Sequence, residues 1–288
     1  MKGIIIPSLK KYENLLYSNI YFLKEVYNCI LPIEIWQIGQ EISDNMKEQL
    51  EKNQEKWNIK FKNVNDYTDN AEHWRGYQIK AFVLKYTEFD EIILCDCDTV
   101  FLISPEIIFQ DSNYIKTGTY FFKDYLRHVP KNDEEEKNRI IWFKKLFPVF
   151  PQYLPEECFY LYDIHTEKQQ MWFYQESGVV YLNKTMNFDI IETIYNLNDN
   201  HKETYKYVHG DKETFWIACL LCNKPFYMNI YPAINLEPSM NMPIYLTERI
   251  EPALTHLYKY NGETILFYSQ KGYPNREKIT KKIIMDQL

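Results

Sequence analysis

The apolar run Ile92-Ile93-Leu94-Cys95 gives way at once to Asp96-Cys97-Asp98, and no other stretch limits the fold as much. Four consecutive apolar residues offer no polar face to water. They read as a strand covered on both sides, as inside a sheet flanked by helices. In open α/β sheets, ligands collect beyond the carboxyl ends of such strands. Asp96 and Asp98 stand at that end. In an extended segment the side chains at i and i+2 point the same way, so both carboxylates converge on one hard cation. Mn²⁺ or Mg²⁺ suits oxygen ligands of this kind, and such a cation holds a diphosphate. The pattern is short, and a solvated turn after a strand would also produce it. Burying two like charges costs roughly several kcal/mol unless a cation or donors compensate.

The flanking sequence supplies the rest of an α/β sheet. Gly3 to Ile6 is a short apolar strand, Glu13 to Tyr27 has helical spacing, and Leu31 to Ile38 is a second strand, which together make a βαβ opening. A helix over Ser43 to Lys56 and a strand over Ile59 to Phe61 follow. The spacing predicts one helix over Glu72 to Tyr86, with Ile79, Phe82, Val83 and Tyr86 buried and Lys80 on another face beside Gly76, Tyr77 and Leu84. Pro105 starts a short helix, and Tyr114 to Phe122 reads as a strand. Phe173 to Leu182 returns to the sheet with a polar start, a glycine and an apolar end. That order predicts a strand whose beginning lies under a ligand. Helices over Phe188 to Leu197 and from Asp211 onward come next, then a strand over Phe226 to Tyr231. A hairpin around Asn261-Gly262 closes the pattern.

With 288 residues and no linker that divides it, the chain reads as a single domain over 1–288. It carries a mostly helical insertion at about 123–171 and a basic amphipathic helix at about 276–288. The insertion has two readings of equal weight, packing on the one hand and acceptor binding or lid closure on the other. A net charge of -7 argues against wholesale nucleic-acid binding. No apolar run approaches the roughly 20 residues of a membrane span, and Pro7 stops the short opening run, so a soluble chain in a reducing, cytoplasmic compartment is expected. The six cysteines include two close pairs, Cys95/Cys97 and Cys219/Cys222. A zinc site is one reading; small buried hydrophobes fit their apolar settings better. Tyr is abundant, at 25 residues, and amphipathic rings suit sugar faces.

Four pieces now stand in order: Gly76-Tyr77-Gln78-Ile79-Lys80-Ala81, Glu91 through Leu102, Gln175-Glu176-Ser177-Gly178, and Gly210-Asp211-Lys212-Glu213-Thr214-Phe215-Trp216. The set resembles the fungal-type alpha-mannosyltransferase family, which has a GT-A fold, and more distantly the glycogenin-like retaining glycosyltransferases. The resemblance covers roughly residues 1–125 and 170–230. It implies a nucleotide-sugar site in a Rossmann-like mixed sheet. Ile6, Pro7 and Ser8 would border the base, with Tyr77, Cys97 and Gly178 also on the donor and Lys80 at the diphosphate. Asp96 and Asp98 would hold Mn²⁺ (or Mg²⁺), with His256 completing the metal shell. Glu176, Ser177, Asp211 and Lys212 would surround the transferred sugar, and of these Asp211, Lys212 and Glu176 are the expected catalytic residues. The fungal family usually carries a Gly-rich loop after the first strand, where this chain has Pro7-Ser8-Leu9-Lys10.

The expectation is a metal-dependent retaining glycosyltransferase. It moves a hexose from GDP-mannose or a UDP-hexose to a hydroxyl of a glycan or glycoprotein acceptor. A sugar-1-phosphate nucleotidyltransferase would also use metal carboxylates on such a sheet, but it normally needs glycines after the first strand, which are missing here. A non-catalytic nucleotide-sugar or glycan binder of the same fold is the third reading, and the intact Asp-x-Asp argues against it.

Overall fold

The computed structural model describes residues 1–124, 133–162, 175–236 and 253–270. It is a mixed α/β fold built on two sheets. The larger sheet has seven strands. They are β1 (Lys2–Pro7), β2 (Ile33–Gln37), β3 (Ile59–Asn63), β4 (Glu91–Cys95), β6 (Thr119–Lys123), β7 (Gln175–Asn183) and β8 (Met228–Pro232). Their spatial order is β3-β2-β1-β4-β7-β6-β8. The first four run parallel, β7 is antiparallel to both its neighbours, and β8 pairs parallel with β6.

Continuous apolar strands lie where both faces are covered. Ile4, Ile6, Ile93, Cys95, Val179 and Tyr181 join a core on one face of the sheet, while Ile5, Ile92, Leu94, Val180 and Leu182 join a core on the other. Each such side chain taken fully from water contributes about 1.5–3 kcal/mol. The helices Ile79–Tyr86, Phe188–Asp199 and Thr214–Leu221 pack on the second face. Among the described residues, no helix is long and apolar enough to cross a membrane.

The smaller sheet has the order β5-β11-β10-β9 and is antiparallel throughout. It joins β5 (Thr99–Phe101), β9 (Ile234–Leu236), β10 (Ala253–Tyr260) and β11 (Glu263–Gln270). The hairpin expected around Asn261-Gly262 is β10–β11, with positive φ at both turn residues. Its pairing with β5 brings the end of the chain's described part beside Asp98.

Three elements differ from the sequence reading. Tyr114 lies in a helix, Ser112–Thr117, capped by Asp111 and ended by Gly118 at φ +67°. The strand begins only at Thr119. An Asx cap and a left-handed glycine outweigh the β propensity of the intervening residues. The helix predicted over Glu72 to Tyr86 is broken into a turn, Ala71–Trp74, and a helix, Ile79–Tyr86. Gly76, at φ +118°, interrupts it. The stretch Ser43 to Lys56 is likewise two helices, Asp44–Glu51 and Gln54–Trp57.

The described part of the 123–171 stretch is mostly helical, with a helix over Asp133–Leu146 and a 3₁₀ segment over Glu156–Tyr162. It packs into the core: Phe143, Phe147, Leu154, Cys158 and Leu161 are buried there. The remainder of that stretch and the tail helix expected at 276–288 lie outside the described residues. All six cysteines are free thiols, and five are buried.

Candidate active site

At the end of β4 the chain turns. Thr99 N–H donates to Asp96 O at 3.1 Å, and the next residues leave the large sheet to become β5 of the small one. Asp96 and Asp98 therefore line one cavity by way of a turn rather than an extended segment. The turn is anchored on the carbonyl of Gly178, which accepts from Asp96 N–H at 2.9 Å and from Thr99 Oγ1 at 3.1 Å. Gly178 itself is fixed from the small sheet. A Cβ at this position would stand 1.8 Å from Gln270 Nε2. The absent side chain makes room for Gln270, where the sequence reading expected it to make room for a ligand.

Lys80 rises from the first turn of the helix Ile79–Tyr86 and is 6% exposed. Its Nζ donates to Ser177 O at 2.9 Å and Ser177 Oγ at 3.1 Å, and pairs with Asp96 Oδ1 at 2.8 Å and Asp211 Oδ2 at 3.5 Å. An ammonium has three protons, so these four oxygens engage all of them. Burial alone would lower the Lys80 pKa, but Asp211 and Asp96 outweigh it and keep the group charged. Burial pushes Asp96 up to about 7; Lys80 pulls it down, and the charges of Asp98 and Asp211 add to the rise. Asp211 is also pushed up by burial.

A second ammonium spans the adjoining wall. Lys212 Nζ lies 2.6 Å from Asp124 Oδ2 and 2.7 Å from Glu176 Oε2. Burial works against both charges, yet Lys212 stays protonated because of Glu176 and Asp124. Glu176 is held down at about 2, with Lys212 opposing burial. Glu176 Oε1 also accepts from Gly178 N–H at 2.9 Å. The loop that carries Asp211 and Lys212 is closed by Glu213 Oε2, which accepts from His209 N–H at 3.2 Å. Burial raises the Glu213 carboxyl to about 8. Gly210 in this loop has φ +64°, and the Tyr77 ring rests against it.

These segments enclose a cavity of about 430 Å³, within the range of small-molecule sites. Of the expected residues, Pro7, Tyr77, Lys80, Asp96, Cys97, Asp98, Glu176, Ser177, Asp211 and Lys212 line it. Ile6 is buried in the core beneath. Ser8 is buried, with its N–H on Trp36 O and its hydroxyl without a hydrogen-bond partner among the described residues. Gly178 acts through its backbone, as above.

His256 is fully buried on β10, stacked on Tyr268 with ring centroids 4.3 Å apart. Burial lowers its pKa to about 3. Neither ring nitrogen has a hydrogen-bond partner among the described residues. Among those residues, no three His, Cys, Asp or Glu side chains are grouped so as to hold an ion, so Asp96, Asp98 and His256 are not gathered as a ligand set.

Five cavity residues fall outside the predicted site residues: Leu9, Lys11 and Tyr12 on the turn after β1, and Gly76 and Ile79 on either side of Tyr77. A helical turn over Lys10–Tyr12 folds Lys11 and Tyr12 back toward the site, and no motif marks it. Asp124 and Gln270 were also missed. Both are distant in sequence from what they hold.

The lining is rich in carboxylates. Asp96, Asp98, Glu176 and Asp211 bring four carboxylates, while Lys80 and Lys212 are already shared among them. The rise in the Asp96 pKa reflects burial among like charges. A hard cation on oxygen ligands relieves that condition.

The profile of a family described as "Mannosyltransferase putative" matches residues 1–242. A Candida albicans protein named "Putative alpha-1,3-mannosyltransferase MNN12" is 32% identical over 187 residues, covering 60% of this chain and 21% of that protein. Alpha-1,3-mannosyltransferase MNT2 of Saccharomyces cerevisiae is 25% identical over 270 residues, 82% of this chain and 45% of that protein. The chain thus spans less than half the length of these curated relatives. Among solved structures, mannosyltransferase Ktr4p from S. cerevisiae in complex with GDP superposes with a TM-score of 0.46 at 13% identity, covering 75% of this chain and 65% of that one. Galactosyltransferase LgtC in complex with donor and acceptor sugar analogs gives a TM-score of 0.45 at 14% identity, with 77% and 70% covered.

Proposed function

The chain belongs to the mannosyltransferase family whose profile matches residues 1–242, and on that premise we propose that it moves a hexose from a nucleotide sugar to a hydroxyl of a glycan or glycoprotein, with retention of configuration. GDP-mannose is the first donor to test and a UDP-hexose the second. The observation that carries this reading is the meeting of Asp96/Asp98, Glu176/Ser177 and Asp211/Lys212 across one cavity.

Lys80 serves as a frame: it ties Asp96 at the end of β4 to Ser177 on β7 and to Asp211 on the 209–213 loop. Pro7, Leu9, Lys11 and Tyr12 offer a mixed apolar and cationic wall for the nucleoside. Asp96 and Asp98 would hold Mn²⁺ or Mg²⁺, which supplies Lewis-acid help to a departing diphosphate when bound. Glu176, kept ionised by Lys212, and Asp211 place negative charge where a sugar becomes oxocarbenium-like. The bond from sugar C1 to the phosphate oxygen breaks and a bond from C1 to the acceptor oxygen forms on the same face. The acceptor proton passes to the departing phosphate, so no protein base is required.

A thermal-shift panel of GDP-mannose, UDP-glucose and UDP-galactose, with and without Mn²⁺, tests the reading. A donor at 100 times its dissociation constant adds about 2.7 kcal/mol of stability. Asp98→Ala is expected to remove the Mn²⁺-dependent part. A full Mn²⁺-dependent response in that variant would sink the metal assignment.

A further inference from the structure

The helix Phe188–Asp199 buries Ile190, Ile191, Ile194 and Asn198. Positions 190, 194 and 198 share one face at helical spacing, so the pattern calls for a further apolar residue where the chain places a carboxamide. A buried amide of this kind must find partners, and Asn198 finds three. Its Nδ2 donates to Ile194 O at 2.8 Å and to Thr214 Oγ1 at 2.9 Å, and its Oδ1 accepts from Tyr205 Oη at 2.5 Å. Thr214, also buried, donates from Oγ1 to Asp211 O at 2.6 Å. A carboxamide nitrogen only donates, and a hydroxyl has one proton. Every bond in this row therefore has one direction: Tyr205 donates to Asn198, Asn198 to Thr214, and Thr214 to Asp211. Bonds aligned in this way polarise one another.

The row ends on the backbone of a cavity residue. Gly210, at φ +64°, turns the chain just before Asp211, and the carboxylate of Asp211 reaches Lys80 Nζ at 3.5 Å. A small rotation of the backbone at this point moves the carboxylate off the ammonium. We propose that Asn198 is a positioning residue for sugar transfer: through Thr214 it sets the Asp211 carbonyl, and with it the Asp211 carboxylate that faces Lys80. This rests on the glycosyltransferase reading above, in which Asp211 acts on the transferred sugar. Among the described residues, none from the helix Phe188–Asp199 lines the cavity, so Asn198 acts from outside it.

The test uses the full chain with GDP-mannose and UDP-glucose, Mn²⁺ present, and release of nucleoside diphosphate as the readout. Thr214→Val keeps the shape of the side chain and removes the hydroxyl. Its kcat is expected to fall about tenfold while the donor KM changes less than about twofold, because the contact weakened is one made in the transition state. Thr214→Ser restores the hydroxyl and should regain most of the rate. Asn198→Leu should give the same kcat-selective loss. The double variant Asn198→Leu/Thr214→Val should be no slower than Thr214→Val alone, since both cut one row. Losses that multiply in the double variant would overturn the proposal, as would an Asn198→Leu protein that is less stable yet transfers at the parent rate. If Asn198→Leu fails to fold, Tyr205→Phe takes its place: it removes the outermost donor, and a smaller loss confined to kcat is expected. If the parent chain releases no nucleoside diphosphate from either donor, the glycosyltransferase reading fails first. Hydrogen exchange then decides whether the row holds the loop. The Thr214 amide, which donates to Asp211 O at 3.0 Å, should exchange about tenfold faster in Asn198→Leu or Tyr205→Phe relative to the Ile217 amide, and an unchanged ratio would overturn the positioning role as well.

Discussion

Two ammonium groups, one buried and one partly exposed, organise the cavity, and they are built differently. Lys80 comes from a helix and reaches oxygens on three other segments, with its side chain 8% exposed. Lys212 comes from a loop and bridges two carboxylates, Asp124 and Glu176, with its side chain 21% exposed. Around Lys80 the acids are pushed toward protonation: Asp96 and Asp211 both rise. Around Lys212, Glu176 is held down at about 2. The difference follows from charge counting. Lys80 is shared by Asp96 and Asp211, with Asp98 also near, whereas Glu176 has Lys212 close and Lys80 adding to it. The Lys80 side is short of positive charge, and the proposed divalent cation would be placed there. The Lys212 side already pairs its carboxylates, and the proposed sugar contact is placed there.

Removing Lys80 is the strongest way to break this contrast. Lys80→Met leaves the buried Asp211 and the partly exposed Asp96 without the cation they share, and a loss of about 3–5 kcal/mol is expected. Urea unfolding measures it. Asp211→Asn in the same background should return part of the loss, because one of the two stranded charges is gone. A Lys80→Met protein as stable as the parent would mean that the frame is held by the backbone alone. Gly178→Ala is next. Its Cβ would collide with Gln270 Nε2, and displacing a buried carboxamide costs about 1–3 kcal/mol. Gln270→Ala should rescue it, and failure of that rescue would show that the strain lies elsewhere in β7. Lys212→Ala is expected to cost less than Lys80→Met, about 1–2 kcal/mol, since Lys212 is itself the more exposed of the two ammonium groups and water can enter in its place. An equal or larger loss would erase the distinction between the two groups.

The Lys80 side was largely legible in the sequence. Asp96 and Asp98 follow an apolar strand, Ser177 and Gly178 open another, and Asp211 sits before a helix; because β7 runs antiparallel to β4, its beginning meets the end of β4. The role of Lys80 was less legible. Helical spacing set it off the buried face, yet the helix is covered nearly all round because it lies between the sheet and the helix Phe188–Asp199. The Lys212 side depends on pairings that no local pattern encodes. Asp124 is 88 residues from Lys212. Gln270 reaches Gly178 only because β11 pairs with β5, a small sheet that spacing alone does not announce. Lys11 and Tyr12 were hidden for the opposite reason: a single helical turn is too short to leave a periodic signal.

The smallest expected effect is one of slope, and it separates the two sides by sign. Glu176 has a folded pKa of about 2, below the 4.5 of an ordinary Glu. The unfolded chain binds the extra proton, so this stabilisation is complete above about 4.5 and is lost as pH falls toward 2. Asp96 runs the other way. Its folded pKa of about 7 exceeds the ordinary 3.8, so the folded state holds the proton between those values. Its contribution is complete below 3.8 and is lost as pH rises through about 7. Urea midpoints measured across this range on protein without added metal should therefore show two limbs. Glu176→Gln flattens the acid limb, where the parent loses stability on acidification. Asp96→Asn removes part of the descent toward neutral pH, Glu213, raised to about 8, supplying another part, and added Mn²⁺ should remove the Asp96 part in the parent as well, because a bound cation favours the same ionised carboxylate. If both variants altered one limb only, the two ammonium groups would be parts of a single titrating cluster, and assigning the cation to one side of the cavity and the sugar to the other would lose its basis.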